Sequence, residues 1–174
     1  MELLRYTDYT LRVLIYLALR PDRRATVGDI AVDFRVSHNH LTKIVHRLAT
    51  SGYVTTTRGK GGGMVLARDP HEIGIGEVVR FTETNLELVE CLHPYCPIVA
   101  GCRLRGVFRE ARDAFLAALD RHTIGSIIGD GRDLNEMLKR GEELAQFAAG
   151  GPTCLGPGPV YGAGDLNDSP AAPQ

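Results

Sequence analysis

Residues 36–52 read Val-Ser-His-Asn-His-Leu-Thr-Lys-Ile-Val-His-Arg-Leu-Ala-Thr-Ser-Gly. Leu41, Ile44, Val45 and Leu48 fall at i, i+3, i+4 and i+7, the spacing that lines one face of an α-helix. Ser37 stands at the N-cap position, and Gly52 follows the last turn where a C′ glycine ends a helix. The seam leaves His38, Asn39, His40, Thr42, Lys43, His46 and Arg47 on the other side.

The segments around this helix decide its context. Upstream, residues 26–36 carry Val27, Ile30, Ala31 and Phe34 at helical spacing, with Thr26 and Asp29 placed as a capping box. Residues 6–20 form an earlier helix through Leu11, Leu14, Ile15 and Ala18, with Thr7 as its N-cap and Pro21 as its stop. Downstream, residues 53–57 and 64–67 read as two strands joined by Arg58-Gly59-Lys60-Gly61-Gly62-Gly63, a β-hairpin with a basic, glycine-rich tip. The order of helix, short helix, capped helix and basic hairpin is that of a winged helix-turn-helix. The fold class is mainly α, with a small β-hairpin wing and a long dimerisation helix behind it.

The chain has 174 residues, of which 44% are hydrophobic and 24% charged, enough to bury a core without staples. The apolar run at residues 13–19 is far too short to span a bilayer. No signal-peptide pattern opens the sequence, so the expected location is the cytoplasm, without membrane contact. The net charge of −1 argues against a nucleic-acid binder, but its distribution argues for one. Residues 1–70 hold 11 Lys/Arg against 6 Asp/Glu, and the remainder hold 9 against 15. Only the front half suits a polyanion.

That front half carries a DNA-reading set. Ser37, His38, Asn39 and His40 lie at the start of the helix, the end a recognition helix presents to base edges. Asn39 has the chemistry to pair adenine bidentately, and Lys43 and Arg47 suit guanine or phosphate. Thr42 and His46 share this face. Arg58 and Lys60, on a tip without bulk, suit the minor groove. The glycines also resemble a nucleotide-binding loop, but a strand follows them where that loop needs a helix N-terminus. The natural partner is double-stranded DNA.

Behind residue 70 the sequence divides into a connecting helix and cysteine loop at 71–102, dimerisation and C-terminal helices at 103–148, and a disordered Gly/Pro-rich tail at 149–174. From residue 103, Leu104, Val107, Phe108, Ala111, Phe115 and Leu119 make a continuous apolar face. This face is read as the dimer contact, too distant in sequence to belong to the front core. A second amphipathic helix is expected over residues 133–148.

Cys91, Cys96 and Cys102 fall within 12 residues. In a reducing compartment, clustered thiols mean metal or redox chemistry, and soft thiolates select zinc or iron–sulfur centres. Mononuclear zinc favours tight C-x2-C pairs, whereas four and five intervening residues suit a larger cluster. A fourth ligand is open among Asp8, His93, Glu90 and Cys154. No Ser-His-Asp set, P-loop or H-E-x-x-H pattern occurs, and the chain reads as a non-enzyme.

With these residues in view, the chain resembles the iron–sulfur winged-helix transcriptional repressors, and among them the nitric-oxide-sensing NsrR type. The resemblance spans about residues 1–145. It rests on Tyr6-Thr7-Asp8-Tyr9, on Val36 through Leu41 with Lys43, on Arg58 through Gly63 with Leu66-Ala67, and on Cys91, Cys96-Pro97-Ile98 and Cys102-Arg103-Leu104. It implies a homodimer on a palindromic operator and a cluster, 4Fe-4S in preference to 2Fe-2S, on three cysteines of one subunit. It further implies ligation by Asp8 of the partner subunit, and nitric oxide as the signal that lifts repression. A related subfamily that regulates cluster assembly places a His three residues after the last Cys. Arg105 stands there in this chain. Regulators of the same fold that sense iron–sulfur status or redox state, a cluster-carrying electron-transfer protein, and a zinc-stabilised adaptor are the competing readings.

Overall fold

The computed structural model describes residues 3–89, 91, 95–132 and 134–138. Among the described residues the elements follow in order: α1 Arg5–Ala18, α2 Val27–Phe34, α3 His38–Thr50, β1 Val54–Thr57, β2 Gly63–Leu66, α4 Ile75–Thr82, α5 Arg103–Leu119 and α6 Ile124–Ile128. A 3-10 turn at Pro70–Glu72 precedes α4.

The first three helices form where the apolar spacing places them. Leu41, Ile44, Val45 and Leu48 of α3 are all buried, against Val13, Leu14 and Leu17 of α1 and Ile30 of α2. Thr26 and Asp29 make the expected capping box, Thr26 Oγ1 accepting from Asp29 N at 3.1 Å and Asp29 Oδ2 from Thr26 N at 2.8 Å. These bonds hold the Asp29 carboxyl below its ordinary range. Tyr16 of α1 donates to Asp33 of α2 at 2.7 Å. Burial first, then that bond, push the phenol up to about 12.

Two caps differ from expectation. Ser37 occupies the N-cap of α3, but its side chain accepts no capping bond. The carbonyl of Ser37 instead receives His40 N and Leu41 N, each at 3.1 Å. Thr7 is not the N-cap of α1. It lies inside the helix, fully buried, behind Leu4 at the cap. Its hydroxyl donates to Glu83, whose same oxygen accepts Leu4 N at 2.9 Å. One orphan donor of this helix start, Leu4 N, is thus satisfied from 79 residues away.

The wing pairs Val54 with Leu66 through Thr57 with Gly63, antiparallel. Its glycines are needed for different reasons. A Cβ on Gly62 would lie 2.4 Å from the carbonyl oxygen of Thr57, whereas Gly61 has φ +78°, where side chains are strained. Ala25 and Met64 exchange backbone bonds at 3.1 and 2.7 Å, tying the wing to the start of α2. At its base, Glu77 Oε1 accepts from Tyr53 Oη and Arg68 Nη1, both at 2.7 Å. Burial alone would raise the Glu77 carboxyl, but these donors outweigh it and hold it low.

The core does not stop at residue 70. Ile73, Ile75, Val78 and Ile124 join the same buried cluster as α1 and α3. Backbone bonds from Ile75 N to His122 O and from Ile124 N to Ile73 O, both 2.9 Å, return the chain to the front unit. The expectation that the long helix stands apart from the front core therefore holds for only part of it. Leu116 of α5 is buried and Leu119 packs on the core, so Leu119 does not belong to a free dimer face. Asp120 receives Arg80 of α4 bidentately at 2.6 and 2.7 Å. Toward the start of α5, Leu104 and Val107 are each 57% exposed and Ala111 is exposed, with Phe108 and Phe115 half-buried. Among the described residues, no helix is long and apolar enough to cross a membrane. Of the helix expected over 133–148, residues 134–138 are helical, and the rest, like the tail at 149–174, lies outside the described residues.

Two outcomes are expected. Ile124→Ala should lower the unfolding free energy of the full chain by about 2–5 kcal/mol in urea titration, because it opens a cavity in the shared core. The Glu77 carboxyl, depressed in the folded state, contributes stability above its unfolded value of 4.5 that is lost as pH falls through the folded one. Glu77→Gln should flatten that acid limb in thermal melts between neutral pH and about pH 3.

Candidate nucleic-acid interface and cysteine loop

Packing of α3 by its apolar seam turns the rest of the helix outward. Ser37, His38, Asn39, His40, Thr42, Lys43, His46 and Arg47 are all exposed. Thr42 bonds back, its hydroxyl 2.9 Å from the carbonyl of His38 and 3.4 Å from His38 Nδ1, which steadies the first turn of the reading face. Arg58 and Lys60 are exposed on the wing tip. The surface they form with α3 is cationic and rich in donors, as groove and phosphate contacts require.

Arg47 departs from the expected set. Its Nη2 donates to the carbonyl of Phe81 at 2.8 Å, and its guanidinium lies 4.6 Å from the Phe81 ring centroid and 5.4 Å from that of Tyr6. The side chain is turned toward α4 and α1, because two rings and an open helix-end carbonyl outcompete water for it. Arg47 therefore joins α3 to α4 while staying exposed beside His46 on the face read for DNA. Phe81, Glu83 and Tyr6, which the sequence did not mark as functional, are the other parts of this junction. Tyr6 entered the sequence reading only within the Tyr6-Thr7-Asp8-Tyr9 motif, and Phe81 and Glu83 carried no signal of a role there.

Residues 84–102 leave from this junction. Cys91, Cys96 and Cys102 are free thiols, each partly exposed. Cys96 N donates to the carbonyl of Cys91 at 3.0 Å and Val99 N to that of Cys96 at 3.0 Å, so the loop is folded by its own turns. Cys102 is the N-cap of α5 and makes no side-chain capping bond. Arg112 of α5 pairs with Glu87 and, at 2.8 Å, with Asp113, fastening the approach to the loop. Among the described residues, no three His, Cys, Asp or Glu side chains are gathered tightly enough to hold a metal ion. Glu90, His93 and Cys154 lie outside the described residues. Asp8, in the first turn of α1, is held by Arg12 at 2.8 and 3.0 Å, with its side chain 46% exposed.

Comparison with known proteins follows this geometry. A family model described as Rrf2, iron-dependent transcriptional regulator, matches residues 3–130. The chain is 45% identical over 143 residues to the HTH-type transcriptional regulator NsrR of Shouchella clausii, covering 80% of this chain and 96% of that protein. It is 44% identical over 146 residues to NsrR of Bacillus subtilis, covering 82% and 100%. Among solved structures, the global cysteine regulator CymR of B. subtilis superposes with a TM-score of 0.61 at 27% identity, over 73% of this chain and 95% of that one. IscR of T. potens gives a TM-score of 0.63 at 21% identity, over 77% and 90%.

Arg47→Ala and Lys60→Ala should separate structure from contact. Lys60→Ala should leave the melting temperature unchanged and lower the slope of log Kd against log salt by about one unit. Arg47→Ala should lower the melting temperature, because it unpins α3 from α4. Anisotropy and thermal melts on the same preparations check both, and a stable Arg47→Ala protein with the slope loss of Lys60→Ala would return Arg47 to the DNA face.

Proposed function

Since the chain belongs to the Rrf2 family of iron-dependent transcriptional regulators, and is itself a DNA-binding regulator of that family, we propose that it acts as a nitric-oxide-sensitive repressor. It works in the cytoplasm as a homodimer, each winged helix on one half of a palindromic operator. Cys91, Cys96 and Cys102 hold an iron–sulfur cluster of the 4Fe-4S type, and the partner subunit's Asp8 supplies the remaining ligand. Identity to the NsrR regulators supports the nitric-oxide assignment. The donor set fits the group in kind: three free, part-exposed thiols on one short loop that ends at the start of α5.

The observation that carries the mechanism is the double fastening of residues 81–83. Phe81 is bonded to Arg47 of the reading helix, and Glu83 to the first turn of α1. The cysteine loop begins directly after them. A change in the loop is therefore felt by both α3 and α1 within one subunit. Held by Cys91, Cys96 and Cys102, a cluster would supply iron open to attack by nitric oxide. Asp8 offers it a hard oxygen among soft sulfurs, the ligand most readily given up. When not ligating, Asp8 is held by Arg12 one turn along the same helix. Two readers must match two half-sites at once, so a small rotation of one subunit forfeits much of the affinity.

Anaerobically purified protein is the test. Iron and sulfide should be present in the wild type and absent after Cys91→Ala, Cys96→Ala or Cys102→Ala, while Cys154→Ala should retain them. Asp8→Asn should still assemble a cluster, with altered absorbance and altered nitric-oxide kinetics. Titration with nitric oxide should release an operator fragment in parallel with bleaching. Zinc in place of iron and sulfide would establish the adaptor reading instead. DNA binding indifferent to nitric oxide would remove the proposed signal.

A further inference from the structure

Beside the reading face, Arg5, Tyr6 and Tyr9 of α1 and His40, Lys43 and Ile44 of α3 enclose an open cavity of about 230 Å³. The two helices contribute unlike parts. Ile44 is 1% exposed, and Tyr6 and Tyr9 are half-buried, which makes the wall apolar. Arg5, His40 and Lys43 are exposed, and no side-chain partner engages them among the described residues. Asp8 is adjacent to Arg5 on the helix surface but spends its carboxylate on Arg12. The Tyr6 hydroxyl is buried without a hydrogen-bond partner, so Tyr6 gives the cavity ring surface and no reachable donor.

A cationic rim above aromatic walls is suited to an anion joined to an apolar body. The sugar-phosphate backbone has that composition. Its unesterified oxygens accept from guanidinium, ammonium and phenol, and deoxyribose packs on rings. His40 and Lys43 are exposed on α3 as Asn39 is, so a duplex read by α3 passes this cavity. We infer that it seats one phosphodiester of that duplex, with Arg5 and Lys43 as its cationic contacts and the two tyrosines around the sugar. This rests on the DNA-binding reading and adds α1 to the interface, where the sequence marked only α3 and the wing. It also places a DNA contact three residues from Asp8. A shift of the first turn of α1 then alters DNA contact directly, in addition to any route through α3.

Fluorescence anisotropy with a labelled mixed-sequence duplex tests the seat, because phosphate contacts do not depend on sequence. Over about 50 to 200 mM KCl, Arg5→Ala should lower the slope of log Kd against log salt by about one unit and weaken binding about three- to tenfold. Arg5→Lys should retain the slope, and Tyr9→Phe should leave it unchanged. Arg109→Ala, an exposed charge of α5 outside the cavity, is the control and should bind as the wild type does. Equal losses in Arg5→Ala and Arg109→Ala, or an unchanged slope in Arg5→Ala, would overturn the seat while leaving the regulator reading intact. A wild-type protein with no salt-dependent duplex binding would overturn both.

Discussion

One carboxylate governs how the parts of this molecule are related. Glu83 follows α4 and accepts from Leu4 N and Thr7 Oγ1, closing the start of α1. Two residues earlier, the carbonyl of Phe81 receives Arg47 from α3. Without that short segment, α1 would begin with unpaired donors, the reading helix would lose its brace, and the cysteine loop would have no fixed origin. Charge-assisted bonds of this kind are stronger than neutral ones, and the two residues that share Glu83 are adjacent on one helical turn. The brace is local in space and distant in sequence, so the front unit and the segment behind it fold as one body.

The electrostatics follow from how that body is built. Net charge near zero hides a cationic front face because the excess of acids lies behind residue 70, and three acids of the front unit are occupied. Asp29 caps α2, Asp33 takes Tyr16 and Arg20, and Asp8 takes Arg12. Lys43, Arg58 and Lys60 are left to face outward. The wing can turn tightly at its tip because Gly62 and Gly63 stand where a Cβ would strike backbone. Glu77 then fixes the base of the wing to α4 through Tyr53 and Arg68. Reading helix and wing are held on the same support, the condition for contacting one duplex with both.

α5 divides its duties along its length. Its last turns belong to the core through Leu116 and Leu119, and Asp120 just past its end is paired with Arg80. Its first turns carry Cys102, Leu104 and Val107 outward. An exposed apolar stripe rigidly joined to a DNA-reading unit suits a two-fold contact, because rotation at that contact is delivered undamped to the reading helix. The thiols lie at the root of the same stripe. A ligand shared between subunits there would act on subunit geometry as well as on its own loop.

Much of this was legible in the residue order. Helical spacing fixed the seams of α1, α2 and α3, the glycine-rich basic stretch fixed the wing, and the cysteine spacing marked the loop, since each depends on neighbours within a turn or a hairpin. The capping box at Thr26 was legible for the same reason. Thr7 was not: its hydroxyl has the chemistry of a cap, but its partner arrives from residue 83. Arg47 showed a cation on the polar face, and only the approach of Phe81 and Tyr6 decided that it serves as a brace. Leu119 continued an apolar stripe without showing where that stripe changes neighbours, and Ile124 sat in a helix too short to stand out. Local periodicity and spacing are written into the sequence by backbone geometry. Which oxygen satisfies which donor across a long separation is decided only when packing brings the elements together.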